Sequence, residues 1–255
     1  MSEQIEKEQI DTKIEKDKIY NCDCLEGMKH IPNASIDLIV TDPPYELETQ
    51  GGGIFDAKGA YKAYGGHNPR KVMKNIANIT DGFDNAVLDE CCRVMKKINI
   101  YIWCSQKQIM KYLDYFVTKK GCNWDLLAWH KSNPVPACGN KYLSDTEFCL
   151  FFREKGVQLF GTFETKRKFW LQESNTADNE LWGHPTIKPL NMIQQLIINS
   201  SEDGQTVLDP FMGSGTTAVA CIKEKRHFIG FELNKDYYDK ACRRIDAERR
   251  QLSLF

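Results

Sequence analysis

Apolar positions along this chain fall into short runs separated by stretches of helical spacing. Runs at 18–21, 36–40, 98–103, 125–129, 147–152, 206–209 and 227–231 are short and bounded by turn or polar residues, which predicts buried strands. Helical spacing covers 84–95, with Val87, Leu88 and Cys91 on one face. It recurs at 106–118, with Ile109, Met110, Leu113 and Phe116 on one face and Gly121 beyond. Further helices are expected over 190–199, 218–225 and 236–250, and a helical turn over 25–30. Strands that alternate with helices imply an α/β fold, a mainly parallel sheet covered on both faces.

The pattern fails in three places. Residues 1–17 are polar and alternate in charge, which reads as a frayed segment or short surface helix ahead of a single domain at 18–255. Residues 46–80 begin with a Gly- and Tyr-rich stretch. A loop this long in a compact domain is a functional lid or is disordered, and its place just after the 41–45 corner favours a lid. Over 153–183 the periodicity weakens and turn and basic residues dominate, as expected of a small inserted recognition element.

Composition narrows the class. The chain has 255 residues, enough for one domain with an elaborated insert. No apolar run reaches membrane-span length, and no signal-peptide pattern opens the chain. The ten cysteines are scattered, mostly in apolar runs, with no CxxC pair; Cys22-x-Cys24 has the wrong spacing for a zinc knuckle. The expectation is a reducing cytoplasmic setting with no disulfides, no metal and no membrane. The formal net charge of −1 gives no hint of nucleic acid. Two basic tracts with interleaved aromatics do: Lys58, Lys62, Arg70 and Lys71 beside Tyr61 and Tyr64, and Lys166, Arg167 and Lys168 beside Phe169 and Trp170. Such mixtures suit a phosphate backbone and unstacked bases. An ordinary solvated face fits the composition equally well.

Two stretches carry candidate chemistry. In Thr41-Asp42-Pro43-Pro44-Tyr45, two prolines stop a strand because neither can donate a ladder hydrogen bond. A carboxylate, stiff backbone carbonyls and an aromatic ring are then presented together at the carboxyl edge of a sheet, where α/β folds bind ligands. A rigid acceptor pair beside a flat ring suits a planar group bearing an amine, such as a nucleobase; a Pro-Pro turn with a solvated Asp is the plainer alternative. The second stretch is the strand–turn–helix at Asp209-Pro210-Phe211-Met212-Gly213-Ser214-Gly215-Thr216-Thr217. Gly213 and Gly215 allow close backbone approach and positive φ, and the following helix directs free N–H groups at a carboxylate or phosphate. No Lys-Ser/Thr pair ends the run, so it is not a nucleotide P-loop. Glu232 ends the next strand, where an acid can accept from ribose hydroxyls. A ligand with a carboxylate at one end and a ribose at the other fits, and S-adenosylmethionine has that shape. Any βαβ unit needs a Gly turn and strands often end in acids, but the two features together at one βαβ distance favour the ligand reading.

DPPY at 42–45, HPTIKP at 184–189 and DPFMGSGTT at 209–217, followed by Phe228-Ile229-Gly230-Phe231-Glu232 with Tyr237, Tyr238, Ala241 and Arg244, resemble a DNA amino-methyltransferase of the permuted, β-class order. The resemblance runs from about residue 19 and is weakest over 46–80 and 153–183. It implies a Rossmann-like methyltransferase fold: a seven-stranded, mostly parallel, circularly permuted sheet with one antiparallel strand. It implies S-adenosylmethionine as cofactor and a specific sequence in double-stranded DNA as substrate. The catalytic residues it implies are Asp42, Pro43, Pro44 and Tyr45: Asp42 and the Pro43 carbonyl take the amine of a flipped-out base, on which Tyr45 stacks. Its cofactor residues are Asp23 and Cys24 near the adenine, Lys188, Asp209, Phe211, Gly213, Ser214, Gly215, Thr216 and Thr217 around the methionine portion, and Glu232 with Leu233 at the ribose. Asp rather than Ser opening DPPY leans towards N6 of adenine over N4 of cytosine. A catalytically inactive DNA-binding regulator is the alternative of another class. The resemblance further leaves open a homodimer that shares the recognition work, a partner restriction endonuclease, and a bacterial or phage origin.

Overall fold

In this computed structural model, residues 14–45, 84–134, 142–182 and 187–252 are described. The expected lid at 46–80, with Lys58, Lys62, Arg70 and Lys71, lies outside them.

Among the described residues eight strands form one sheet. In chain order they are β1 (Lys18–Tyr20), β2 (Leu38–Thr41), β3 (Asn99–Cys104), β4 (Asn123–Lys131), β5 (Thr146–Arg153), β6 (Phe169–Gln172), β7 (Thr206–Asp209) and β8 (His227–Phe231). Across the sheet they run β1-β8-β7-β2-β3-β5-β4-β6. Only β5 runs antiparallel to the rest, against β3 on one side and β4 on the other. The single antiparallel strand and the mostly parallel sheet match the expectation. The count differs by one, because β6 pairs in parallel with the edge of β4 inside the expected insert. Its four residues bury Trp170 alone and expose Phe169 and Leu171, too little inward apolar surface for a readable period.

Among the described residues seven α-helices cover the sheet: α1 (Cys24–Met28), α2 (Asn85–Val94), α3 (Gln106–Leu113), which a π-helical stretch at Asp114–Lys119 continues, α4 (Thr176–Trp182), α5 (Leu190–Ser200), α6 (Thr216–Lys223) and α7 (Lys235–Leu252). Alternation along the strands sends successive side chains to opposite faces. Leu38, Val40, Tyr101 and Trp103 pack with residues of α5, α6 and α7; Ile39, Ile100 and Ile102 pack with residues of α1, α2 and α3. Both faces are therefore buried, which explains the near-continuous apolar runs.

Caps fix the ends of these helices. Asp23 accepts from the N–H groups of Leu25 and Glu26 at the start of α1, and Asp84 accepts from Ala86 N–H ahead of α2. At α3 the Ser105 N–H donates to Gln108 Oε1 at 3.0 Å. The Gln108 amide then donates to the Pro44 carbonyl at 3.0 Å, tying the helix to the Pro-Pro corner.

Candidate active site

The order β1-β8-β7-β2 makes the carboxyl ends of four parallel strands neighbours. Asp23, Glu232, Asp209 and Asp42 follow or end those strands, so the topology lines up four carboxylates on one edge. The chain leaves β2 towards β3 and leaves β7 towards β8, so the crevice between β2 and β7 is a topological switch point.

On the β7 side, Asp209 is buried and its carboxylate is fully engaged. Oδ1 accepts from the Thr41 hydroxyl at 2.9 Å and the Phe211 N–H at 3.1 Å, and Oδ2 accepts from the Thr217 hydroxyl at 2.6 Å. Burial pushes its pKa up to about 7, with the donated hydrogen bonds acting against the rise. Asp209 and Thr217 thus brace the turn from behind. Gly213 and Gly215 adopt positive φ, 53° and 80°. A Cβ on Gly215 would lie 3.2 Å from that of Ala241 in α7. Glu232 accepts from Gly213 N–H and Asn234 N–H, each at 2.8 Å and each on a different oxygen. Burial raises its pKa. Each oxygen retains a lone pair for a hydroxyl.

The other cofactor candidates divide. Ser214 and Thr216 are buried, and their hydroxyls meet each other at 3.2 Å. Both also meet the guanidinium of Arg244. The Asp23 carboxylate caps α1, and Cys24 is buried in the core, its thiol pushed up to about 12 by burial. Phe211 packs partly against the same core, while Leu233 is exposed.

On the β2 side, Lys188 differs from its expected place at the methionine end. Its ammonium donates to Asp42 Oδ2 at 2.5 Å, lies 3.1 Å from Glu147 Oε2 and meets the Tyr45 hydroxyl at 3.3 Å. It also sits 5.5 Å from the Tyr45 ring centroid and 5.1 Å from that of Trp103. Burial would raise Glu147, but the ammonium groups of Lys188 and Lys131 hold it down at about 2. Asp42 is instead raised, because burial outweighs Lys188 and Glu147 adds a like charge. The second oxygen, Asp42 Oδ1, is shut off from solvent and has no hydrogen-bond partner among the described residues. An unmet carboxylate acceptor is costly, so this atom is a candidate acceptor for a further donor. A cavity of about 80 Å³ adjoins the Lys188–Glu147 pair, lined by Trp129, Lys131, Glu147, Asn175, Asn179 and Lys188, among others.

Lys166, Arg167 and Lys168 are exposed, but Arg167 pairs with Glu164 and Lys168 with Asp125. They precede β6, whose carboxyl end, not its start, shares the edge with Asp42. The structure therefore does not bring them to the crevice. Glu147, Gln108 and Arg244 are the site residues that sequence reasoning assigned no role. Glu147 had a signal: it opens the apolar run of a strand, and antiparallel β5 carries its first residues, not its last, to the ligand edge.

A sequence model of a DNA methylase family matches residues 36–243. Among curated relatives, the chain is 29% identical over 252 residues to the Type II methyltransferase M.HinfI of Haemophilus influenzae, covering 89% of this chain and 67% of the relative. It is 26% identical to the Type II methyltransferase M2.MboI of Moraxella bovis, over 89% and 86% of the two chains. Among solved structures, an M1.HpyAVI–SAM complex superposes with a TM-score of 0.62 at 26% identity, over 89% of this chain and 98% of the other. The cytosine-N4-specific PvuII DNA methyltransferase shares the fold, with a TM-score of 0.64 at 16% identity over 93% of each chain.

Proposed function

The chain belongs to the DNA methylase family, and from that premise we propose that it methylates the exocyclic N6 amine of a flipped-out adenine at a specific site in duplex DNA. The observation that carries this reading is the unpartnered Asp42 Oδ1 at the switch point, beside two prolines and the Tyr45 ring.

S-adenosylmethionine, the methyl donor, supplies a sulfonium-activated methyl group. The glycine turn at 213–215, braced by Asp209, receives its methionine portion, and the Glu232 oxygens receive its ribose hydroxyls. An unpaired carboxylate oxygen and a shape-fixed turn match the hydrogen-bonding needs of these two ligands.

At the base, Asp42 Oδ1 and the Pro43 carbonyl accept the two N–H bonds of the amine. This draws the nitrogen lone pair out of conjugation with the ring and turns it towards the methyl carbon. Tyr45 offers a flat face for the base. Lys188, fixed by Glu147, occupies the other Asp42 oxygen, so the carboxylate has one orientation and one open acceptor. Direct displacement needs no covalent nucleophile; alignment and exclusion of water supply the acceleration. The amine can reach Asp42 only outside the helix stack, which requires base flipping. The adenine assignment rests on the Asp that opens DPPY.

The test is nucleoside mass spectrometry of DNA from a methylation-free bacterial host that expresses this chain. N6-methyladenine is the expected product. N4-methylcytosine would keep the chemistry and overturn the base, and neither mark from folded, cofactor-binding protein would overturn the activity.

A further inference from the structure

Arg244, on α7, is 5% exposed, and its guanidinium points into the back of the glycine turn. Its Nη1 donates to the Thr216 hydroxyl at 2.8 Å and to the Ser214 carbonyl and hydroxyl, each at 3.3 Å. Three acceptors on one turn fix the backbone between Gly213 and α6. Burial lowers the Arg244 pKa, and the nearby acids are Asp178 and Glu248.

The other side of the guanidinium faces α4. Nη2 lies 3.8 Å from Asp178 Oδ2, and the group sits 5.9 Å from the Trp182 ring centroid. That same Asp178 oxygen accepts from Asn175 Nδ2 at 2.7 Å. Asn175 and Asn179 line the cavity beside Lys188 and Glu147, and Asn179 Oδ1 accepts from the Ile187 N–H at 2.9 Å, one residue before Lys188. A continuous polar chain therefore runs from the cofactor turn through Arg244, Asp178 and Asn175 to the wall of the cavity that Lys188 and Glu147 also line.

We infer that Arg244 is a positioning residue for the cofactor turn and that, through Asp178, it makes cofactor and DNA binding cooperative. This rests on the function proposed above. Ordering the turn around the cofactor holds Arg244 against Asp178 and sets α4, so the cavity wall is already placed when DNA arrives. By linkage DNA strengthens cofactor binding by the same factor.

The test is titration of S-adenosylmethionine into the protein with and without unmethylated duplex DNA. The unaltered chain is expected to bind the cofactor about tenfold tighter with DNA, within the usual range for coupled sites. Asp178→Asn should bind cofactor alone within about twofold of the unaltered chain yet lose that enhancement. Arg244→Gln should weaken cofactor binding even without DNA, and Arg244→Lys should restore part of it. Undiminished coupling in Asp178→Asn, or no coupling in the unaltered chain, overturns the inference. No cofactor binding by the unaltered chain overturns the underlying function instead. Asp178 is only half-buried, and Asp178→Asn keeps the side chain's shape, so this variant keeps the test open if Arg244→Gln does not fold.

Discussion

The Lys188 ammonium donates to Asp42 Oδ2 at 2.5 Å and leaves Oδ1 of the same carboxylate unpaired among the described residues. The pairing turns a symmetric carboxylate into a one-sided acceptor. Asp42→Ala removes that acceptor while leaving the glycine turn intact. Single-turnover methylation should slow by about 10²–10³-fold, the scale of losing one preorganised hydrogen-bonding group at a reacting centre. Cofactor affinity by titration should stay within about twofold. Loss of both together would show that the two sides of the crevice are not separable.

Lys188→Met and Glu147→Gln should shift the acid limb of the kcat–pH profile in opposite directions. Asp42 is raised by burial, lowered by Lys188 and raised by Glu147. Losing the ammonium raises it further, so activity falls away at higher pH. Losing the Glu147 charge lowers it, so activity persists to lower pH. Lys188→Met also leaves Asp42 without a counter-ion, while Glu147 keeps Lys131, a loss of about 3 kcal/mol or more for a buried pair broken on one side. Shifts of the same sign in both variants would count against the arrangement.

Gly215→Ala forces an L side chain into φ of 80° and against Ala241. The left-handed conformation costs about 1–2 kcal/mol. The thermal midpoint should fall by about 2–8 °C, and the cofactor KM should rise because the turn and the start of α6 move together. A variant as stable as the parent would show that the turn tolerates another conformation.

Asp209→Asn should flatten the dependence of stability on pH between about 4 and 7. The folded pKa of Asp209 is raised by burial to about 7, so the native state holds this proton more tightly than the unfolded chain. Its contribution is fully present below the unfolded pKa and is lost as pH rises through the folded one. Thermal midpoints of the two proteins measured across that window should therefore converge or cross on the alkaline side; parallel curves would contradict the assignment.

Arg167→Ala should change the KM for DNA by less than about twofold, within what a screened surface pair contributes. Arg167 is spent on Glu164 and sits away from the carboxyl edge. A large loss of DNA affinity would place the recognition surface on the β6 side after all.

Much of this was readable from residues alone. The strands at 36–40, 206–209 and 227–231 announced themselves because both of their faces are buried, and Asp42, Asp209 and Glu232 stood out because each ends such a run. What the pattern hid was sense and partnership. Glu147 begins an apolar run, and only the antiparallel direction of β5 brings it to the site. Lys188 sits on a proline-flanked loop, and nothing local tells that its ammonium crosses to β2. The motif puts Asp209 among the cofactor residues, and in the fold its carboxylate accepts from Thr41, Thr217 and the Phe211 N–H. β6 escaped because a four-residue edge strand with one inward side chain has no measurable period.

The pairing of β1 with β8 sets the order in which the molecule can assemble. Asn21, at the end of β1, donates to the Glu232 carbonyl across a separation of 211 residues, and Ile19 aligns with Gly230. Contacts so distant in sequence are slow to form. As the chain leaves the ribosome, β2, β3, β5 and β4 can pair first, so the base-side corner exists before the ribose carboxylate has been synthesised. Until Glu232 emerges, β1 has no neighbour and remains an unsatisfied edge. Folding intermediates should therefore expose it to chaperones, and the ability to bind cofactor should be the last property the nascent protein acquires.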